Sequence, residues 1–289
     1  MDENSAPAGP GPDYVVPALP DRWVILHHHI FKNAGSTVDF ALKRAFNGRF
    51  ATIHGPTPDS VLRHSDVLRF LCAHPDVAAV SSHHLTYPKP SQPGWVFFDL
   101  CFFRDPLLRL WSMYRYLRRA ESAGELGDLA KSMAPGAFFE LLIEERPHLV
   151  NDVQVNILAN GGAYTRPPSP ADLDAAVATL GQISILGVVE LFDQSLVAAE
   201  YFLQPAFARL QFHYVRQNAS PAARSGLREE IGEGLYGHLR DMNRLDYRLL
   251  DLARQEVLRR YALVPQREER LAEFHSRCEA LRRERKQAA

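Results

Sequence analysis

The stretch RWVILHHHIFKNAGSTVDFALKRAF, Arg22–Phe46, decides how the chain is read. RWVILHHHI (Arg22–Ile30) has the length and apolar character of a buried strand. STVDFALKRAF (Ser36–Phe46) carries apolar residues at Val38, Phe40, Ala41, Leu42 and Ala45, the pattern of a helix face. FKNAGST then makes a strand-to-helix turn. A helix start there leaves the N–H groups of Gly35, Ser36 and Thr37 unpaired and aimed at an anion. Gly35 would let the backbone approach a ligand closely, and the two hydroxyls would add hydrogen bonds. The lysine precedes the glycine, whereas in G-x-x-x-x-G-K-[ST] it follows. Lys32 is therefore expected at the strand end, beside the outer part of a ligand, where a breaking bond needs positive charge.

Working outward, VAAVSSHHL and GWVFFDLCFF (Gly94–Phe103) read as further strands, as do ISILGVVELF (Ile183–Phe192) and the short LQFHYV (Leu210–Val215). DSVLRHSDVLRFLCAHP, PGAFFELLIEE, NDVQVNILAN and DQSLVAAEYFL read as helices, and so does one long run from Leu227 to Tyr261. Strands alternating with helices predict an α/β fold with a mostly parallel sheet covered on both faces. Residues 1–20, acidic and rich in proline and glycine, read as a flexible arm; 21–264 form the main domain; 265–289 form a charged C-terminal helix. In that helix Leu271, Phe274, Cys278 and Leu281 make one stripe, suited to packing on the body or to pairing with a second subunit; the reading favours the body.

Composition narrows the function classes. The 289 residues are 46% hydrophobic and carry a formal net charge of −1, which argues against bulk affinity for nucleic acid or an anionic membrane. Cys72, Cys101 and Cys278 are far apart and odd in number, so neither a disulfide framework nor a zinc ribbon is indicated. The N-terminal stretch lacks the basic-then-apolar layout of a secretory signal, and no apolar run is long enough for a transmembrane helix. A reducing, cytoplasmic setting is expected.

CFFRDPLLRLWSMYRYLRR supplies a second loop. Asp105 is an N-cap candidate with Pro106 at the first helical position. Arg104, at the end of an apolar strand, offers a planar fork for a second phosphate, and Ser112 lies off the apolar stripe where it could donate to the same group. The basic face with Arg115, Arg118 and Arg119 would guide an anionic acceptor or simply be solvated. His27 and His29 share a strand face at a ligand-like separation, but no E-x-x-H or C-x-x-C spacing completes a metal site, and no metal is expected.

The two loops together resemble the sulfotransferases that use 3′-phosphoadenosine 5′-phosphosulfate (PAPS), and are most similar to the membrane-type carbohydrate enzymes of the heparan sulfate 2-O-sulfotransferase kind. HIFKNAGST matches that family's H-I-P-K-T-A/G-G-T-[ST], and FFRDPLLRLWSMY matches F-x-R-D-P-x-x-R-x-x-S-x-Y. HHLTY, NDVQVNILAN and GVVELFDQSL echo three further elements, and the matches run in the family's order from Trp23 to Tyr261. Phe31 stands where proline is usual, Asn33 where threonine or serine is usual, and His83 where glycine is common.

The resemblance implies a P-loop NTPase-like three-layer fold and transfer of a sulfuryl group from PAPS to an acceptor hydroxyl, on a carbohydrate or a glycosylated small molecule, leaving 3′-phosphoadenosine 5′-phosphate (PAP). It implies that Lys32, Asn33, Ala34, Gly35, Ser36 and Thr37 hold the 5′-phosphate side, with Lys32 stabilising the bridging oxygen. Arg104 and Ser112 would hold the 3′-phosphate, Asn218 and Ser220 would match a late loop covering the cofactor, and Gln154 is a lesser candidate. His84 aligns with the family's catalytic base and His83 is its rival, since neighbouring strand residues face opposite ways. A homo-oligomer is an open expectation. The alternatives are a P-loop-like kinase and a catalytically silent nucleotide-binding module of the same fold.

Overall fold

The computed structural model describes residues 20–57, 60–121, 124–215 and 224–287. Its strands are β1 (Arg22–His28), β2 (Phe50–Thr52), β3 (Ala79–Ser82), β4 (Trp95–Phe103) and β5 (Ile185–Val188). All neighbours pair in parallel, in the spatial order β2-β3-β1-β4-β5. Helix α1 (Gly35–Phe46) follows β1, and α2 (His64–Ala73) precedes β3. Between β4 and β5 come α3 (Pro106–Leu117), α4 (Gly124–Ser132), α5 (Pro135–Glu145), α6 (Val153–Asn160) and α7 (Pro170–Gln182). After β5 come α8 (Phe192–Leu203), α9 (Arg224–Met242), α10 (Arg244–Ala262) and α11 (Arg267–Gln287).

Strand alternation sorts the core onto two faces. Ile25, Ala79, Leu100, Phe102 and Ile185 pack with side chains of α1, α8 and α11. Cys101, Phe103, Leu186 and Val188 pack with α6, α7 and α10, while Val24, Leu26 and Val80 pack with α2. Parallel strands buried on both faces need continuous apolar runs, and β1 and β4 supply them. A further cluster, with Leu110, Trp111, Tyr114, Phe138, Phe139 and Leu239, joins α3, α5 and α9. The result is the three-layer α/β architecture the alternation of strands and helices predicts.

Several expectations are corrected. Leu210–Val215 pairs with no strand, although Leu210, Phe212 and Tyr214 are buried with a period of two. Side chains of helices take the place of a ladder: Phe212 N donates to Glu200, Tyr214 N donates to Cys278 Sγ at 3.4 Å, and Phe212 O accepts from Arg277 Nη2 at 3.3 Å. The run expected as one helix is broken at Gly232, where φ is 78°, and again at Asn243, which separates α9 from α10. β5 stops at Val188, and Phe192 already belongs to α8. The edge strand β2 and helices α4 and α7 were not anticipated. The stripe of α11 lies on the body, with Phe274, Cys278 and Leu281 buried. No helix among the described residues is long and apolar enough to cross a membrane.

Candidate anion-binding site

The chain fills one side of β1 with β2 and β3, then crosses to the other side to form β4. Loops diverge at such a reversal and leave a crevice at the carboxyl ends of the strands, the usual ligand position in an open α/β sheet. The loops leaving β1, β3 and β4 all end there, carrying Lys32, His83, His84 and Arg104.

The β1–α1 turn is wound tightly. Lys32 and Ala34 both take left-handed backbone conformations, at φ 68° and 63°, a state costing a non-glycine residue about 1–2 kcal/mol. What holds it is Asn33, which is buried and donates from Nδ2 to Phe102 O and to Gln154 Oε1, both at 2.8 Å. Asn33 thus corrects an expectation: its side chain points inward, away from any ligand. The N–H groups of Gly35 and Ser36 have no hydrogen-bond partner among the described residues. That of Thr37, also expected at the anion, turns back to Ala34 O at 2.8 Å. Gly35 serves a different need from the one expected, because a Cβ there would lie 1.9 Å from the His29 ring.

Arg104 meets this turn from β4. Its Nη1 donates to Lys32 O at 2.8 Å, so the guanidinium lies against the turn that carries Lys32. Neither makes an ion pair with a carboxylate among the described residues. Arg104 Nε is buried without a partner. Burial, reinforced by the charges of Arg104 and Arg119, lowers the Lys32 ammonium from its usual 10.5 to about 8. Burial likewise lowers Arg104, against the opposing pull of Glu190 and Asp105. The Lys32 ammonium rests on two half-exposed rings, 4.1 Å from the Tyr116 centroid and 5.6 Å from that of Phe31. Ser112 lies one helical turn before Tyr116 on α3, which puts it on the face that looks at Lys32, nearer the Arg104 end.

The histidines divide by strand alternation. His28 faces away from α1 and stacks on Tyr87 at 4.0 Å; burial lowers its pKa to about 4. His27 and His29 face α1, where Asp39 completes a cluster the sequence reading lacked: His27 Nδ1 to Asp39 Oδ1 is 2.8 Å, and His29 Nδ1 to Oδ2 is 3.2 Å. These three ligand-type atoms lie within 4.8 Å of one another, close enough to share an ion. An ionised carboxylate accepting an Nδ1–H from each ring accounts for the same distances. Burial raises the Asp39 pKa, but the two imidazole hydrogen bonds outweigh it and leave the carboxyl well below its usual range.

The pair on the β3 loop is decided by partner chemistry. His83 Nδ1 lies 2.6 Å from His29 O, and a carbonyl only accepts, so the proton is on Nδ1 and the Nε2 lone pair is free. Gly55 N donates to His84 Nδ1 at 2.7 Å, so neutral His84 carries its proton on Nε2 and has no free lone pair. His83 keeps an exposed edge and packs on His29 at 3.8 Å; desolvation there, then the His29 charge, lower its pKa to about 4.

Gln154, a minor candidate from sequence, is fully buried and bonded to both loops, at Asn33 Nδ2 and at Arg104 N and O. Tyr116 and Asp39 were missed; the helical spacing from Ser112 to Tyr116 was the available signal for the first, and Asp39 had none. Asn218 and Ser220 lie outside the described residues.

Over 239 residues, covering 78% of this chain and 94% of the relative, the protein is 25% identical to an uncharacterized protein of Archaeoglobus fulgidus. No protein-family model matches the chain.

Proposed function

We propose that the protein is a PAPS-dependent sulfotransferase acting on an acceptor hydroxyl, with a carbohydrate-containing molecule as the favoured acceptor class. The observation that carries the reading is the 2.8 Å contact between Arg104 and the Lys32 carbonyl, which unites two cationic loops, neither of whose cations makes a direct ion pair with a carboxylate among the described residues. Cations desolvated in this way favour an anionic ligand, and two of them on adjacent strands suit one with two phosphates.

When bound, the donor supplies a sulfuryl group: the acceptor oxygen bonds to sulfur as the bond to the 5′-phosphate oxygen breaks, leaving its electron pair on the phosphate. Lys32 faces that developing charge. The free N–H groups of Gly35 and Ser36 hold the 5′-phosphate, while Arg104, with Ser112, holds the 3′-phosphate. His83 takes the acceptor proton at Nε2, the lone pair its backbone bond leaves open, and His84 acts as an N–H donor. This reverses the order the family alignment implies for the two histidines. No metal has a role here, since positive charge already faces the leaving group.

The test is transfer of labelled sulfate from PAPS across a panel of sugars, glycolipids and glycosylated small molecules. Sulfated product is the expected result. Magnesium-dependent nucleoside triphosphate hydrolysis without sulfation would refute it in favour of a kinase, and PAP binding without turnover in favour of a silent module.

A further inference from the structure

Gln154 stands at the second position of α6, at 0% exposure, and every hydrogen-bonding position of its side-chain amide is filled. Oε1 accepts from Asn33 Nδ2 at 2.8 Å and from Arg104 N at 2.9 Å. Nε2 donates to Arg104 O at 2.9 Å and to Asp246 Oδ2 at 3.2 Å. The orientation of the amide is fixed by its partners, because the Arg104 N–H can only donate and the Arg104 carbonyl and Asp246 carboxylate accept. Arg104 is the residue immediately after β4, so its paired bonds to the amide continue the strand's ladder by one rung, with a side chain in place of a backbone. On the other side Asn33 spends both amide hydrogens, on Gln154 and on Phe102 O. The two loops are thus stitched together from behind.

The stitch is anchored. The Asp246 carboxylate also accepts from Gln154 N at 3.1 Å and Val155 N at 2.8 Å, capping α6. Asp152 in turn accepts from Leu245 N at 2.9 Å and Asp246 N at 2.8 Å, capping α10. Two helix starts therefore lock each other and hold the amide in place. No other side chain of this size offers two acceptor positions and two donors: glutamate would lose both donors and face Asp246 with a second charge, and methionine would leave the buried Arg104 backbone unpaired.

We propose that Gln154 is a positioning residue that sets the spacing between the Lys32 and Arg104 loops, so that a ligand with two anionic groups engages both at once. The inference rests on the two-phosphate reading of the site. It predicts which ligands suffer when the stitch is cut. An anion held by one loop is indifferent to the spacing, whereas a bridging ligand is not.

The experiment compares adenosine 5′-monophosphate with adenosine 3′,5′-bisphosphate by calorimetry on the full chain. In the unaltered protein the second phosphate should tighten binding by about tenfold or more, the scale of a charge-assisted hydrogen bond. In Gln154→Met that advantage should shrink to about threefold or less while monophosphate affinity changes by less than about threefold. Asn33→Ala cuts the same stitch from the β1 side and should reproduce the loss, and the double variant should lose no more than either alone. An unchanged ratio between the two ligands in folded variants, with or without a parallel loss of both affinities, would overturn the inference. Should the unaltered protein itself gain nothing from the second phosphate, the two-phosphate reading fails and the inference fails with it.

Discussion

Removing the charge of Lys32 should make the ligand-free protein more stable. A depression from 10.5 to about 8 makes the folded state disfavour the ammonium by about 3 kcal/mol relative to the unfolded chain. Lys32 is only partly buried, so solvent screening reduces the recoverable part. Lys32→Met keeps an unbranched side chain against Tyr116 and Phe31 and forfeits a cation–π contact of about 0.5–1 kcal/mol. A net gain of about 1–2 kcal/mol near neutral pH remains. The sign fixes the pH window. The folded pKa lies below the unfolded one, so the penalty is fully present below about 8 and is relieved as pH rises towards the unfolded 10.5. Urea denaturation of both proteins at neutral pH and at about pH 10 should therefore show the variant's advantage shrinking on the alkaline side. Adenosine 3′,5′-bisphosphate should reverse the order, stabilising the unaltered protein more than the variant. A variant less stable than its parent at neutral pH, or a gap that does not change with pH, would refute the argument that the site stores uncompensated charge.

The two histidines of the β3 loop should separate in kinetics. His83→Ala is expected to lower kcat by about a hundredfold or more, the contribution of a positioned base, while His84→Ala should fall short of that. Because burial against His29 takes the His83 pKa to about 4, the acid limb of the kcat/KM profile should lie well below the ordinary histidine range; equal losses, or a limb near 6.5, would return the role to His84. The Asp152–Asp246 pair gives a stability test. Burial and the Asp246 charge raise Asp152 to about 7, so its contribution is full below the unfolded value of about 4 and is lost as pH rises through about 7. Asp152→Asn retains the Oδ1 acceptor for both α10 caps and loses only the charge. It should match its parent near pH 4 and exceed it by about 1 kcal/mol at pH 8, and a deficit at pH 8 in chemical denaturation would count against this account.

The fold and the site were legible to different depths, and the difference is physical. β1, α1, β4 and the Asp105-Pro106 start of α3 were readable because local pattern and tertiary role agree there: continuous apolar runs, a helical stripe, and an N-cap whose Oδ1 does accept from Leu108 N at 2.9 Å. Leu210–Val215 misled because alternation reports burial on one side, and a segment can satisfy it by lying under helices whose side chains take its backbone bonds. Gly232 was read through as helix because a single glycine is only a weak breaker until the surroundings demand φ 78°. At the candidate site, the residues proposed to meet a ligand were easier to name than those that hold them. Lys32 and Arg104 carry charge at strand ends, which is visible in one dimension. Asn33, Gln154 and Asp246 act through contacts between residues far apart in sequence, 121 positions for Asn33 with Gln154 and 92 for Gln154 with Asp246, and no local pattern encodes those.

The proposed anion site has two unlike sides. Behind the loops the hydrogen bonds of the Gln154 amide are complete, as are those of the Asn33 donor, while Asn33 Oδ1 is buried with no partner among the described residues. In front, the Gly35 and Ser36 amides have no partner among the described residues, and the Lys32 ammonium rests on rings rather than on a carboxylate. A loop selected for stability alone would be expected to neutralise its cations, since an ion pair relieves the cost that burial imposes. Arg277 is relieved in this way by Glu200 at 2.6 Å, whereas buried Arg109 on α3 makes no ion pair among the described residues and donates to Leu149 O at 2.9 Å. Lys32 and Arg104 lie where the strand order reverses, at the position where an α/β sheet offers its crevice. Rigid support beneath and unmet charge above are the two conditions for preorganised electrostatic recognition, because the donors need not reorganise when the anion arrives.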